Sequence, residues 1–192
     1  CTIREVGKRQ VSLECVERLR IAAPPPDIDY LFAPLKGARL DYLAQKATEM
    51  GVRRLRPVLT RRTISARINM ERLRANVIEA AEQCNLVWLP QVAEPAALPA
   101  VIEGWEPGRW LVYCDEHAPS ANPVAALRSL AAGPIAVLIG PEGGFAAEEQ
   151  ALLRGLPFVT PISLGPRILR ADTAAVAVLA IVQSVRGDWN GR

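Results

Sequence analysis

Two apolar strands that each run straight into a glycine turn constrain this chain more than any other feature: IAVLIGPEGGF at 135–145 and ISLGPRILRADTAAVAVLAIV at 162–182. In an open α/β sheet, ligands bind beyond the carboxyl ends of the strands, and glycine there lets backbone come close to a ligand. Neither segment is a phosphate loop, because no GK[ST] follows the first and the glycine spacing of neither is GxGxxG. Singly, a glycine turn between strand and helix has an ordinary structural explanation. Together, two such turns separated by one helix (Ala147 to Arg154) define a candidate binding site. The second adds Arg167 and Arg170 around the apolar pair Ile168 and Leu169, with Asp172 or Thr173 placed to cap the helix that follows.

The rest of the chain supplies the sheet these loops would need. Strands are expected at Ile28 to Ala33, Val52 to Val58, Trp110 to Cys114, Ile135 to Ile139 and Phe158 to Leu164, with a further short one at Leu86 to Val92. Helices are expected at Arg39 to Met50, Met70 to Cys84, Asn122 to Ala131, Ala147 to Arg154 and Asp172 to Val185. Leu40, Leu43, Ala44, Ala47 and Met50 recur at helical spacing and Gly51 stops them. The last helix is apolar on nearly every side, which predicts burial on more than one face. Such alternation predicts an α/β fold with a mainly parallel sheet. Ahead of it, 1–21 reads as short strands (Thr2 to Val6, Val11 to Cys15) around the Gly7-Lys8 turn, and 22–27, containing AAPPP, reads as a stiff linker. The main domain is therefore expected over 28–192. The chain starts with cysteine, and its front strands are expected to continue a domain that begins upstream.

Composition narrows the function classes. No apolar run reaches the roughly 18–20 residues of a membrane span, and neither a secretory signal nor an anchor is evident. The four cysteines (Cys1, Cys15, Cys84, Cys114) form no CxxC pair and His117 is the only histidine, so no metal site is expected. Reduced thiols and a cytoplasmic location follow as expectations. His117 reads as a solvated loop residue. A hydrolase is excluded by the lack of a GxSxG elbow. The formal net charge is only +3, but Arg53, Arg54, Arg56, Arg61, Arg62 and Arg67 crowd into fifteen residues. Such a row suits a nucleic-acid backbone, or else is a solvated edge.

QKATEMGV at 45–52 followed by RPVLTRRT, EAAEQCN at 79–85 with LPQV after it, IGPEGGF at 139–145, and LGPRILRADTA at 164–174 occur in this order. In these motifs the chain resembles the SPOUT methyltransferases, most closely the RsmE-type family that methylates a small-subunit (16S) ribosomal RNA uracil on N3. It departs from the family pattern at Leu86, where a basic residue is usual, at Ala146, where a serine or threonine cap is usual, and at Asp172, where glutamate is common.

The resemblance implies a trefoil-knotted α/β fold, a homodimer, S-adenosylmethionine as cofactor, and ribosomal RNA of the small subunit as partner. It makes 1–21 the remnant of an amino-terminal PUA-like β-barrel domain that binds RNA. The cofactor pocket would be built from Leu138, Ile139, Gly140, Gly143, Gly144, Leu164, Gly165, Ile168, Leu169, Arg170 and Thr173. Because N3 of uracil must lose a proton, a guanidinium that steadies the charge on the neighbouring oxygens is the expected device, with Arg170 first and Arg167 second. Glu142 either receives the proton or fixes the loop. Arg53, Arg54, Arg61, Arg62 and Arg67 are the candidate RNA contacts. Alternatives are a SPOUT enzyme acting on another RNA, such as a transfer-RNA ribose 2'-hydroxyl, and a catalytically silent RNA-binding assembly factor.

Overall fold

The computed structural model describes residues 1–118 and 122–190. Thr2–Val6 (β1) and Val11–Glu14 (β2) form an antiparallel pair of their own, with every residue exposed. The main unit contains β3 (Ile28–Phe32), α1 (Ala38–Glu49), β4 (Arg54–Leu59), α2 (Met70–Gln83), β5 (Gln91–Val92), β6 (Ala96–Ala97) and α3 (Leu98–Glu103). It continues through β7 (Trp110–Cys114), α4 (Pro123–Ser129), β8 (Ile135–Ile139), α5 (Ala147–Arg154), β9 (Val159–Ile162) and α6 (Ala171–Arg186). The sheet order is β5-β4-β3-β8-β7-β9, with β6 also on β4, and every pairing in it is parallel. The expected α/β class and mainly parallel sheet are thus present.

Strand alternation sorts the core onto two faces, as a sheet covered on both sides requires. Tyr30, Phe32, Val112, Val137 and Ile139 pack under α1, α2, α4 and α6. Leu31, Leu111, Tyr113, Ala136 and Leu138 pack under α3 and α5. Every residue of β3 and β8 is buried, and each large side chain such as Leu31 contributes roughly 1.5–3 kcal/mol by leaving water. Helix α6 rests on both α1 and α4, which cover much of its apolar circumference and leave Val176, Ala177, Ala180 and Ile181 half-buried.

The amino ends of the strands hold a buried ion network. Asp29, fully buried, accepts from Arg54 Nε at 2.8 Å and pairs with Arg56 at 3.4 Å. Arg109, also buried, donates from Nη2 to Asp27 at 2.8 Å, from Nε to Glu106 at 2.9 Å and from Nη1 to the Ile135 carbonyl at 3.1 Å. Buried charges persist only when paired and hydrogen-bonded this fully, and deleting one partner typically costs about 3–5 kcal/mol.

Two local expectations change. Helix α3, six residues long, was not expected, although Pro99 in its first turn suits a helix start; too short for apolar periodicity to show, it follows directly on β6. Helix α6 is capped by Arg170 without a side-chain bond, while Asp172 sits inside the first turn and accepts from the Thr173 amide at 2.9 Å.

Candidate active site

The carboxyl ends of β7, β8 and β9 open into one cleft of about 1180 Å³. The two glycine loops do not come from neighbouring strands, since β7 lies between β8 and β9. They face each other across the end of β7, whose Tyr113 and Cys114, with Asp115 and Glu116, form a third wall that the glycine pattern does not announce. Pro119 to Ala121, in the polar stretch after β7, lie outside the described residues. His117, also in that stretch, is exposed and does not line the cleft.

Most sequence-selected residues meet in this cleft. Ile139, Gly140, Glu142, Gly143 and Gly144 line it from the first loop, and Leu164, Gly165, Arg167, Ile168, Leu169 and Arg170 from the second. Two stand apart. Leu138 points to the opposite face of β8 into the α3/α5 core, as alternation after Ile139 demands, and Thr173 is exposed on α6. Ala171 and Ala174 line the cleft from that helix instead. Gly140 is packed so tightly that a Cβ would lie 2.5 Å from the Phe145 ring, whereas one at Gly165 (φ +107) would meet nothing within 4 Å. Backbone at Gly165 therefore faces open space in a conformation that other residues rarely adopt. Ile168 is 84% exposed at the lip, an apolar side chain with little covering it.

The electrostatics centre on a residue that the sequence reading missed. Arg39, in the first turn of α1, reaches into the cleft wall, where its Nε donates to Asp172 Oδ2 at 3.0 Å and its Nη1 pairs with Glu142. Its Nη2 is buried without a hydrogen-bond partner among the described residues. The hydrogen bond from Arg39 holds the Asp172 carboxyl below the ordinary carboxylate range, against a smaller opposing effect of burial. Burial pushes the Cys114 thiol up to about 12, so this cysteine is a wall rather than a nucleophile. Desolvation likewise raises the Tyr113 hydroxyl.

The arginine row is divided by the strand that carries it. Arg53 pairs with Asp27 at 3.2 Å, and Arg54 and Arg56 belong to the buried network at the amino end of β4. Arg53 and Arg54, two of the candidate RNA contacts, thus stand at the amino end of β4, each paired with a protein carboxylate, while Arg61 and Arg62 follow its carboxyl end. Arg61, Arg62 and Arg67 are exposed. Arg62 Nη1 donates to the Gly143 carbonyl at 2.8 Å, and the Arg61 amide donates to Glu149 at 2.8 Å. Glu149 also accepts from the Ala146 amide at 2.9 Å, supplying from within α5 the hydrogen bond to the cap that alanine cannot return. The loop after β4 is thus part of the scaffold of the first glycine loop.

Among the described residues no cluster of His, Cys, Asp and Glu suits a metal ion, and no helix is long and apolar enough to cross a membrane.

Comparison with known proteins accords with this geometry. The family model of the RNA methyltransferase domain matches residues 23–183. Ribosomal RNA small subunit methyltransferase E of Rickettsia conorii is 30% identical over 182 residues, which is 94% of this chain and 74% of the relative. The Aquifex aeolicus protein of the same name is 29% identical over 96% of this chain and 80% of its own length. A Legionella pneumophila protein solved as a methyltransferase complexed with bound SAM superposes with a TM-score of 0.81 at 31% identity, covering 97% of this chain and 78% of that one. Ribosomal RNA small subunit methyltransferase E of Neisseria gonorrhoeae, bound to S-adenosyl methionine, gives 0.74 at 28% identity, covering 86% and 68%. The chain belongs to the RNA methyltransferase domain family, within the ribosomal RNA small subunit methyltransferase E group, and is an S-adenosylmethionine-dependent enzyme.

Proposed function

We propose that this enzyme methylates N3 of a uridine in small-subunit ribosomal RNA, with the cleft at the ends of β7, β8 and β9 holding both cofactor and target base. The observation that carries this reading is the meeting, in one cleft, of both glycine loops with two arginines, Arg167 and Arg170, that pair with no carboxylate among the described residues. The residues present fit the cofactor. The volume exceeds the roughly 300–1,000 Å³ usual for small-molecule sites, leaving room for a base beside it. Ile139, Leu164 and Leu169 offer an apolar wall for adenine, Gly165 bares its backbone, and exposed Ile168 supplies a lid surface.

When bound, S-adenosylmethionine supplies a methyl group already activated by its sulfonium. This chain's residues have to bind, align and exclude water. As N3 passes its proton to the Glu142 carboxylate, directly or through a water, negative charge spreads to the flanking carbonyl oxygens, and Arg170 meets it there without giving up its own proton, with Arg167 as the second cation. Glu142, held by Arg39, orders the first loop. Since N3 is engaged in Watson–Crick pairing, the base enters unpaired or extruded. Arg61, Arg62 and Arg67 grip the RNA backbone beside the cleft.

The same reading makes 1–21 the end of a PUA-like barrel, 22–27 a linker, and 28–192 a knotted domain that works as a cytoplasmic homodimer through the half-buried side of α6 (Val176, Ala177, Ala180, Ile181). Mass spectrometry of small-subunit RNA from cells lacking this gene tests the reading: 3-methyluridine should vanish and return with the gene. Persistence of 3-methyluridine, with loss of a ribose-methylated nucleoside instead, would overturn it.

A further inference from the structure

We propose that Arg39 is a positioning residue that keeps Arg170 and Arg167 available to the substrate by occupying the two carboxylates that would otherwise pair with them; the inference rests on the reading of Arg170 given above.

Glu142 lines the same cleft as Arg167 and Arg170, and Asp172 follows Arg170 by two residues at the start of α6. Free carboxylates in those places would be natural partners for either arginine. Both are instead taken by one guanidinium, through Nε to Asp172 at 3.0 Å and through Nη1 to Glu142. Of the other acidic residues of the cleft, Asp115 is paired with Arg154 at 2.6 Å, while Glu116 is half exposed to water, 3.6 Å from His117. Arg167 and Arg170 form no salt bridge among the described residues.

The physical consequence is specific. A guanidinium whose fork is filled by a protein carboxylate has its charge cancelled and its donors spent, so it cannot steady an anion forming on a substrate. Arg39 is suited to prevent this because it comes from α1, a helix anchored through buried Leu43, Ala44 and Ala47. Through Glu142 and Asp172 it joins the first glycine loop to the start of α6. Removing its cation frees both anions while leaving Arg167 and Arg170 in place.

The test combines an assay with a labelling measurement on the whole chain. With undermethylated small-subunit RNA and labelled S-adenosylmethionine, Arg39→Ala is expected to lower kcat by about ten- to a hundredfold, approaching the loss of a charge-stabilising donor, with KM for the cofactor changing much less. Adding Asp172→Asn to Arg39→Ala is expected to recover part of that loss, because one competing anion is gone. A defect due only to loosened structure would deepen instead. Phenylglyoxal modification read by mass spectrometry reports Arg170 directly, without turnover: labelling should slow in Arg39→Ala and recover in the double variant. Arg39→Lys, which keeps a cation but not the fork, should be intermediate in both and serves if the alanine variant folds poorly. Native-rate labelling of Arg170 in both single variants, or a double variant slower than Arg39→Ala, would overturn the proposal. An Arg170→Ala enzyme that transfers methyl at the native rate would overturn the underlying reading, and the labelling separates that failure from failure of the Arg39 role.

Discussion

Arg62 donates from Nη1 to the carbonyl of Gly143 at 2.8 Å, so the loop after β4 is fastened to the first glycine loop of the cleft. Because Arg62 is exposed, water and salt screen this bond, and its net worth is on the order of 1 kcal/mol. Arg62→Ala should therefore weaken S-adenosylhomocysteine binding about three- to tenfold by calorimetry. An unchanged affinity would mean that the Glu149 bonds alone hold the loop.

Arg170→Ala should slow methyl transfer by about one to three powers of ten while S-adenosylhomocysteine affinity changes little. Arg170→Lys should recover only part of the rate, since an ammonium keeps the charge but not the planar fork. Single-turnover kinetics with saturating RNA decide it. Loss of cofactor affinity instead would assign Arg170 to the pocket rather than the chemistry.

At Gly140 the issue is space. A Cβ there would lie 2.5 Å and 2.8 Å from two Phe145 ring atoms, and the ring is backed edge-on by Tyr113 at 5.2 Å between centroids. Gly140→Ala should cost about 1–3 kcal/mol of stability, or about 2–4 °C of Tm for each kcal/mol. Adding Phe145→Leu should restore part of the Tm. No Tm change in Gly140→Ala would show that the ring retreats freely.

Glu106 sets an acid limit on stability. Its carboxyl is pulled down to about 2, first by the hydrogen bond from Arg109 and next by that from Arg54. A folded-state value below the unfolded one stabilises the fold above the unfolded value, near 4.5, and that contribution is lost as the pH falls from there towards about 2. The side chain is 46% exposed, so after solvent screening the contribution is about 1 kcal/mol. Urea unfolding of the native chain and Glu106→Gln should differ at pH 7 and converge near pH 2. A gap that stays constant with pH would place the effect in packing rather than charge.

What could be read from the sequence was local. Trp110–Cys114, Ile135–Ile139 and Ala147–Arg154 appear within the expected limits, because apolar runs and helical spacing are properties of adjacent residues. The glycine loops were legible for the same reason. Sheet order was not: nothing in β8 or β9 announces that β7 stands between them, and so the third wall of the cleft went unread. Arg39 escaped because its partners lie 103 and 133 residues away, where no periodicity reaches. The side chain of Leu138 lies in the core under α3 and α5, a placement legible in the sequence, since a strand cannot turn two successive side chains to one face. The arginine row looked continuous in one dimension and was divided by the length of β4 in three.

The place of β8 also bears on how the chain reaches this state. β3 pairs with β8 from Ile28↔Ile135 to Phe32↔Ile139, a separation of 107 residues. Until residue 139 has left the ribosome, β3 and β4 can pair only with each other and with β5 and β6, and β3 then presents an unpaired edge of apolar residues. Such an edge is a template for another nascent chain, and parallel pairings this distant in sequence form slowly. Translation speed between β4 and β8, and chaperone access during that interval, should therefore govern the yield of soluble protein more than the stability of the finished fold does.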